Sequence, residues 1–105
     1  MAERRISAPS VRIIGHKRYI LEKRNLLCEV HISDPGMVID WRSRTVRLYY
    51  PQGKEFVLET TGDMSGYKYE TKVISERDAF KFMDEHPDGI VESVYIRFFG
   101  EPEKT

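Results

Sequence analysis

Thr45-Val46-Arg47-Leu48-Tyr49-Tyr50-Pro51-Gln52-Gly53-Lys54-Glu55-Phe56-Val57-Leu58-Glu59-Thr60 is the stretch that decides the fold. Thr45 to Tyr50 alternates polar and apolar residues, Pro51-Gln52-Gly53 turns, and Glu55-Phe56-Val57-Leu58-Glu59 runs back. Period-two alternation marks a strand with one face buried, and Pro-x-Gly between two such runs reverses the chain. The reading is a β-hairpin with a type I turn at Tyr50-Pro51-Gln52-Gly53 and Gly53 in the left-handed conformation of a G1 bulge. That register sets Tyr50 opposite Lys54 beside the turn, and Leu48 opposite Phe56 and Val46 opposite Leu58, so that one face of the strands is apolar. The other face pairs Tyr49 with Glu55 and Thr45 with Glu59. A one-residue slip would exchange the two faces.

Working toward the N-terminus, Leu26, Cys28, Val30 and Ile32 share one face at period two, with Leu27, Glu29 and His31 on the other, which predicts a half-buried strand. Helix-favouring Leu, Glu, Lys and Arg over residues 22–30 supply the competing reading. Asp34-Pro35-Gly36 closes this element with a turn, and Met37 to Trp41 reads as extended. Further upstream, Val11-Arg12-Ile13-Ile14 and Lys17-Arg18-Tyr19-Ile20-Leu21 flank Gly15-His16, predicting a short hairpin with a type II′ turn. Residues 1–10 are polar and aperiodic and read as a flexible arm, residues 101–105 as a flexible tail.

Toward the C-terminus, residues 67–74 alternate loosely as an edge strand. Ser75-Glu76-Arg77-Asp78 then forms a capping box, with Ile74 placed to staple onto Ala79. The helix it starts carries Ala79, Phe82, Met83 and His86 on one stripe and stops at Pro87. After Asp88-Gly89, the residues Ile90, Val91, Val94, Tyr95, Phe98 and Phe99 recur at helical spacing, although Val, Ile, Tyr and Phe favour strands. Period and propensity conflict here: a buried strand over Val94-Tyr95-Ile96-Arg97-Phe98 stays open beside a second helix, toward which the spacing leans slightly. The predicted fold class is α+β: a small antiparallel sheet of about four strands with one or two C-terminal helices packed on one face. A single domain spans residues 11–100.

At 105 residues there is room for one core. No apolar run approaches the roughly 20 residues of a membrane-spanning helix, and Met1-Ala2-Glu3-Arg4-Arg5 leads into no hydrophobic signal core. One cysteine, Cys28, rules out an internal disulfide and suits a reducing compartment. The expected localisation is cytoplasmic. Net charge is zero but unevenly spread, +6 over residues 1–54 and −6 over residues 55–105. Such polarity suits a basic contact surface, or two halves that interleave in one sheet so that their fields cancel.

Four segments in this order carry a resemblance: Ile14-Gly15-His16-Lys17-Arg18-Tyr19, Leu48-Tyr49 through Gly53 to Phe56-Val57-Leu58, Gly62-Asp63-Met64-Ser65-Gly66-Tyr67, and Ile74-Ser75-Glu76-Arg77-Asp78-Ala79. The arrangement resembles a group of short uncharacterised proteins of bacterial genomes and phages, over about residues 11–100. This chain departs from the group in its strand-like alternation after Leu26 and its β-branched residues after Gly89. The resemblance implies no chemistry. It does imply a phage or mobile-element origin, and by analogy an inhibitor or regulator of a host protein, such as a host defence complex.

Chemistry-bearing residues are scattered. His16, His31, His86 and Cys28 show no metal-ligand spacing, so neither metal nor cofactor is expected. No nucleophile elbow is present, and Cys28 alternates with core positions. Gly62 through Gly66 could form an anion-binding nest but lacks a Walker lysine. Two binding readings remain. The hairpin's second face, with Arg47, Tyr49 and Val57, together with Trp41, has the aromatic-plus-arginine makeup of protein interfaces. The competing view of that face is that residues 90–99 cover it. Lys17, Arg18, Lys23, Arg24, Arg42 and Arg44 interleave with aromatic residues and form the alternative, a nucleic-acid surface. The expected function is a non-enzymatic protein-interaction module. A second copy pairing through an open sheet edge is a further expectation.

Overall fold

The computed structural model describes residues 10–32, 44–62 and 70–101. The chain begins with β1 (Ser10–Ile14) and β2 (Lys17–Leu21), an antiparallel ribbon paired from Ser10 with Leu21 to Ile14 with Lys17. A two-residue loop is what Gly15 promised. Both Gly15 (φ 57°) and His16 (φ 67°) are left-handed, however, so the turn is type I′ rather than the expected type II′. The primed turn matches the right-handed twist of its strands, and His16 carries the conformational cost.

Next come β3 (Leu26–Ile32), β4 (Arg44–Tyr49), β5 (Phe56–Gly62) and β6 (Glu70–Ile74), which pair in sequence order as a four-stranded antiparallel meander. Then α1 (Glu76–Glu85) and α2 (Glu92–Phe99) follow, joined by a 3₁₀ turn at Pro87–Gly89. The fold is α+β, with the additional two-stranded ribbon forming a sheet of its own. The arm and tail, the extended segment with Trp41 and Arg42, and the loop at residues 63–66 lie outside the described residues, apart from Ser10, which opens β1, and Glu101.

The central hairpin differs from its expected register. Leu48 pairs with Leu58, Tyr49 with Val57, Arg47 with Glu59 and Val46 with Thr60. Reversal is therefore centred on Gly53 and not on Gln52, which moves every partner by two residues. An even shift keeps each side chain on its expected face. The cause lies in the turn. Gln52 (φ 59°) and Gly53 (φ 63°) are both left-handed, the pair a type I′ turn needs, with the Lys54 amide donating to the Pro51 carbonyl at 3.3 Å. The left-handed Gly53 was anticipated. The left-handed Gln52 was not.

Each face of the sheet is covered by a different element. Cys28, Leu48 and Phe56 pack with Leu27, and with Ala79, Met83 and Val94 of the two helices. At the edge of this core Tyr50 stacks on Phe56 (4.3 Å between centroids) and meets Phe98 edge-on (5.1 Å). Leu26, Tyr49 and Val57 point the other way and pack against Tyr19 and Leu21 of the ribbon. Leu26 and Cys28 can serve opposite faces although two apart because β3 bulges between them. Leu27, expected on the face of Glu29 and His31, joins the helix-side core instead.

Ser75 caps α1, its hydroxyl accepting from the Asp78 amide at 3.1 Å, as the S-x-x-D pattern implied. The helix ends at His86, whose amide reaches the Phe82 and Met83 carbonyls. The chain then lies against the edge of β3, where Ile90 bridges Cys28 and the Val91 amide donates to the Leu27 carbonyl at 2.7 Å. Gly89 permits this approach. A Cβ there would stand 2.5 Å from the Glu29 carbonyl oxygen and 3.2 Å from the Cys28 sulfur.

Gly89→Ala is therefore expected to lower stability by roughly 1–3 kcal/mol, because backbone on the facing strand cannot yield to the added methyl. Urea denaturation measures it, and an unchanged midpoint would show that the contact is not tight. His16→Gly is expected to act oppositely, raising stability by about 0.5 kcal/mol through relief of the left-handed backbone.

Candidate functional site

The face holding Arg47, Tyr49 and Val57 is brought together as the alternation implied, but it is an internal surface. Val57 is fully buried and Tyr49 is 4% exposed, both beneath the ribbon. The cover is thus the β1–β2 ribbon, while residues 90–99, the expected cover, serve mainly the helix-side core, with Val91 reaching both. Arg47 is half-buried and its Nε donates to Glu29 Oε2 at 2.6 Å, with Glu59 directly across on β5. Docking at Tyr49 and Val57 would require the ribbon to leave. Trp41 lies outside the described residues.

Polar contacts fix the ribbon. Arg12 Nη2 donates to Glu59 Oε2 at 2.8 Å, and Glu59 is one of two buried polar side chains among the described residues. The Tyr19 hydroxyl donates to Glu55 at 2.6 Å, and Lys17 stands 3.5 Å from the same carboxylate. That hydrogen bond pushes the Tyr19 phenol up and holds the Glu55 carboxyl below its ordinary range. Glu55 therefore supports the fold above the carboxylate range and loses that contribution on acidification.

The basic residues of the alternative reading divide. Lys17, Arg18, Lys23 and Arg24 occupy β2 and the 3₁₀ turn that follows, near the reversal of the central hairpin. Lys17 is paired with Glu55, and Arg24 Nε with Glu22 Oε2 at 3.0 Å. Arg44 lies at the far end of β4, level with Gly62, roughly 20 Å along the sheet at 3.3 Å per residue. Arg42 lies outside the described residues.

What the sequence reading missed is the ribbon's outward face. Directly paired residues share a face, so Val11, Ile20, Ile13 and Arg18 point away from the body. Val11 is 52% exposed and Ile13 74%. Ile20 continues from this strip into a cleft of about 250 Å³ lined by Arg24, Gln52, Arg97 and Phe98. Two further clefts flank the helices. One, about 240 Å³, lies between α1 and α2 around Phe80, Met83 and Tyr95. The other, about 300 Å³, holds His31, His86, Glu29, Glu85 and Asp88. Among the described residues no three His, Cys, Asp or Glu side chains gather as a metal site would need. Alternation sets Val11 and Ile13 on the face opposite Arg12, and the contact of Arg12 with Glu59 then turns that face outward.

Burial pushes the Cys28 thiol up to about 11 and the Tyr49 phenol up to about 12. Cys28 donates its S–H to the His86 carbonyl at 3.7 Å and is fully buried. A raised pKa in the fold means full stability below the ordinary pKa and loss as pH rises through the folded one. No family model matches the chain, and neither a curated protein nor a solved structure is similar to it.

The unfolding midpoint is expected to hold up to pH 9 and then fall toward pH 12, as Cys28 and then Tyr49 ionise preferentially in the unfolded chain. Cys28→Ala should delay the onset of the fall. Urea melts across an alkaline pH series check both, and rapid modification of Cys28 by a thiol reagent in native protein at pH 8 would contradict its burial.

Proposed function

We propose that the chain is a non-enzymatic protein-interaction module whose contact surface is the outward face of the β1–β2 ribbon. One observation carries this reading: Val11 and Ile13, large aliphatic side chains exposed by 52% and 74%, stand on one face beside Ile20 and Arg18. Apolar side chains fringed by arginine have the composition of interface centres. A ribbon already committed on its inner face can offer such a strip without unfolding. Among the described residues, the groups with displaced pKa, Tyr19, Cys28, Tyr49 and Glu55, belong to the core or to the ribbon's anchor, and none of them lines the three clefts. The resemblance to bacterial and phage proteins is the support for reading the partner as a host protein whose action the chain blocks or regulates.

The test replaces Val11 and Ile13 together by Thr, which preserves β-branching while shortening the apolar surface. Immobilised wild-type chain is expected to retain a protein partner from nuclease-treated bacterial lysate. The double variant should lose at least about tenfold in affinity, as burial of one or two aliphatic groups is worth. Its unfolding midpoint should barely move. Undiminished capture by the variant would remove this surface, and capture that disappears with nuclease would favour the nucleic-acid reading instead.

A further inference from the structure

Arg24, Gln52 and the adjacent pair Arg97 and Phe98 come from three distant parts of the chain and meet at the reversal of the central hairpin. Three elements bring them there. The 3₁₀ turn after β2 supplies Arg24, the type I′ turn supplies Gln52, and the last turn of α2 supplies Arg97 and Phe98. Buried Asn25 fixes the floor: its side-chain oxygen accepts from the Glu22 amide at 3.1 Å and its nitrogen donates to the Ile20 carbonyl at 3.0 Å. The Tyr50 amide closes the junction by donating to the Asn25 carbonyl at 2.8 Å.

Both guanidinium groups are held at one side. Arg24 Nε is engaged by Glu22, which leaves its two terminal nitrogens for another acceptor. Arg97 lies over the Phe98 ring, 4.5 Å from its centroid, and donates one nitrogen to the Arg24 carbonyl. Among the described residues no carboxylate pairs with Arg97. The cleft therefore holds two cations against the single carboxylate of Glu22, an excess of one positive charge, between apolar walls from Ile20 and Phe98.

We propose that this cleft binds a carboxylate carried beside an apolar group, as an acidic side chain next to a hydrophobic residue would present it on a partner protein. This proposal rests on the interaction reading and names the chemistry of the partner at one end of the same surface. A guanidinium fork matches the two coplanar oxygens of a carboxylate. One negative charge also equals the excess, whereas a phosphate monoester, at about −1.5 to −2, would exceed it. Ile20 links the cleft to the exposed strip of Val11 and Ile13, so one acidic and apolar segment could contact both.

The experiment titrates isotope-labelled full-length chain with benzoate and follows amide chemical shifts, with benzamide as the uncharged isostere and phenyl phosphate as the dianion. Benzoate is expected to shift Arg24, Asn25, Gln52 and Phe98 saturably, with benzamide at least about tenfold weaker. Arg97→Gln should weaken benzoate by a similar factor, and Arg24→Gln, on an exposed side chain, should do so without touching the packing of α2. Equal response to benzamide, shifts centred elsewhere, absence of saturable binding, or indifference to both substitutions would overturn the proposal. Phenyl phosphate binding tighter than benzoate would overturn the carboxylate assignment. No partner protein enters the titration, so its failure falls on the cleft alone, whereas failure of the Val11 and Ile13 variant in capture falls on the ribbon surface.

Discussion

Burial of the β4–β5 hairpin on both of its faces is the constraint on which the rest of the molecule depends. Leu48 and Val57 are each fully buried, one beneath the helices and the other beneath the ribbon. Full burial of such a side chain stabilises by roughly 1.5–3 kcal/mol. Net stability of a small domain is only about 5–15 kcal/mol. Uncovering the five buried residues on the ribbon side would cost an amount comparable to the whole, so the ribbon is part of the core and not an appendage. The consequence for function is direct. Tyr49 and Val57 are consumed by folding, whereas Val11 and Ile13 on the ribbon's outer side stay exposed and form the surface proposed for a partner.

Electrostatics follows the same layering. The basic first half and the acidic second half of the chain meet where the ribbon crosses the sheet, through Arg12 with Glu59 and Lys17 with Glu55. Part of the sequence-level polarity is thus spent within the molecule, which supports the interleaved reading of the charge pattern. The cations that remain without a carboxylate partner among the described residues include Arg18 on the ribbon's outer face and Arg97 at the cleft. They lie on the same side of the molecule as the exposed aliphatic strip, to which Ile20 connects them. Among the described residues no helix is long and apolar enough to cross a membrane.

Much of the fold was legible because it is written in local patterns. The first ribbon, the strand at Leu26–Ile32, the capped helix after Ser75 and the stop at Pro87 all follow from residues within a few positions of one another. The segment after Gly89 shows which local signal prevails when two conflict. Its residues favour strands, yet their 3.6-residue spacing prevailed, because a helix there lays Val94, Phe98 and Phe99 onto a sheet face already lined by Phe56. The register error was also local in origin. Assuming a right-handed Gln52 centred the turn one residue early, and parity alone rescued the assignment of faces.

The candidate surface was legible only in part. Exposure of Val11 and Ile13 depends on which side of the ribbon meets the sheet, and Arg12 decides that by reaching a carboxylate 47 residues away. Arg97 and Phe98 look like ordinary helix residues until α2 ends beside the hairpin turn. The amino-acid order by itself determined most of the elements and, outside the bulge at Leu26–Cys28, which side chains share a face, since strand and helix periods are properties of neighbouring residues. Tertiary structure alone decided which face became core, which stayed in water and which arginines converge, because these depend on contacts between segments distant along the chain.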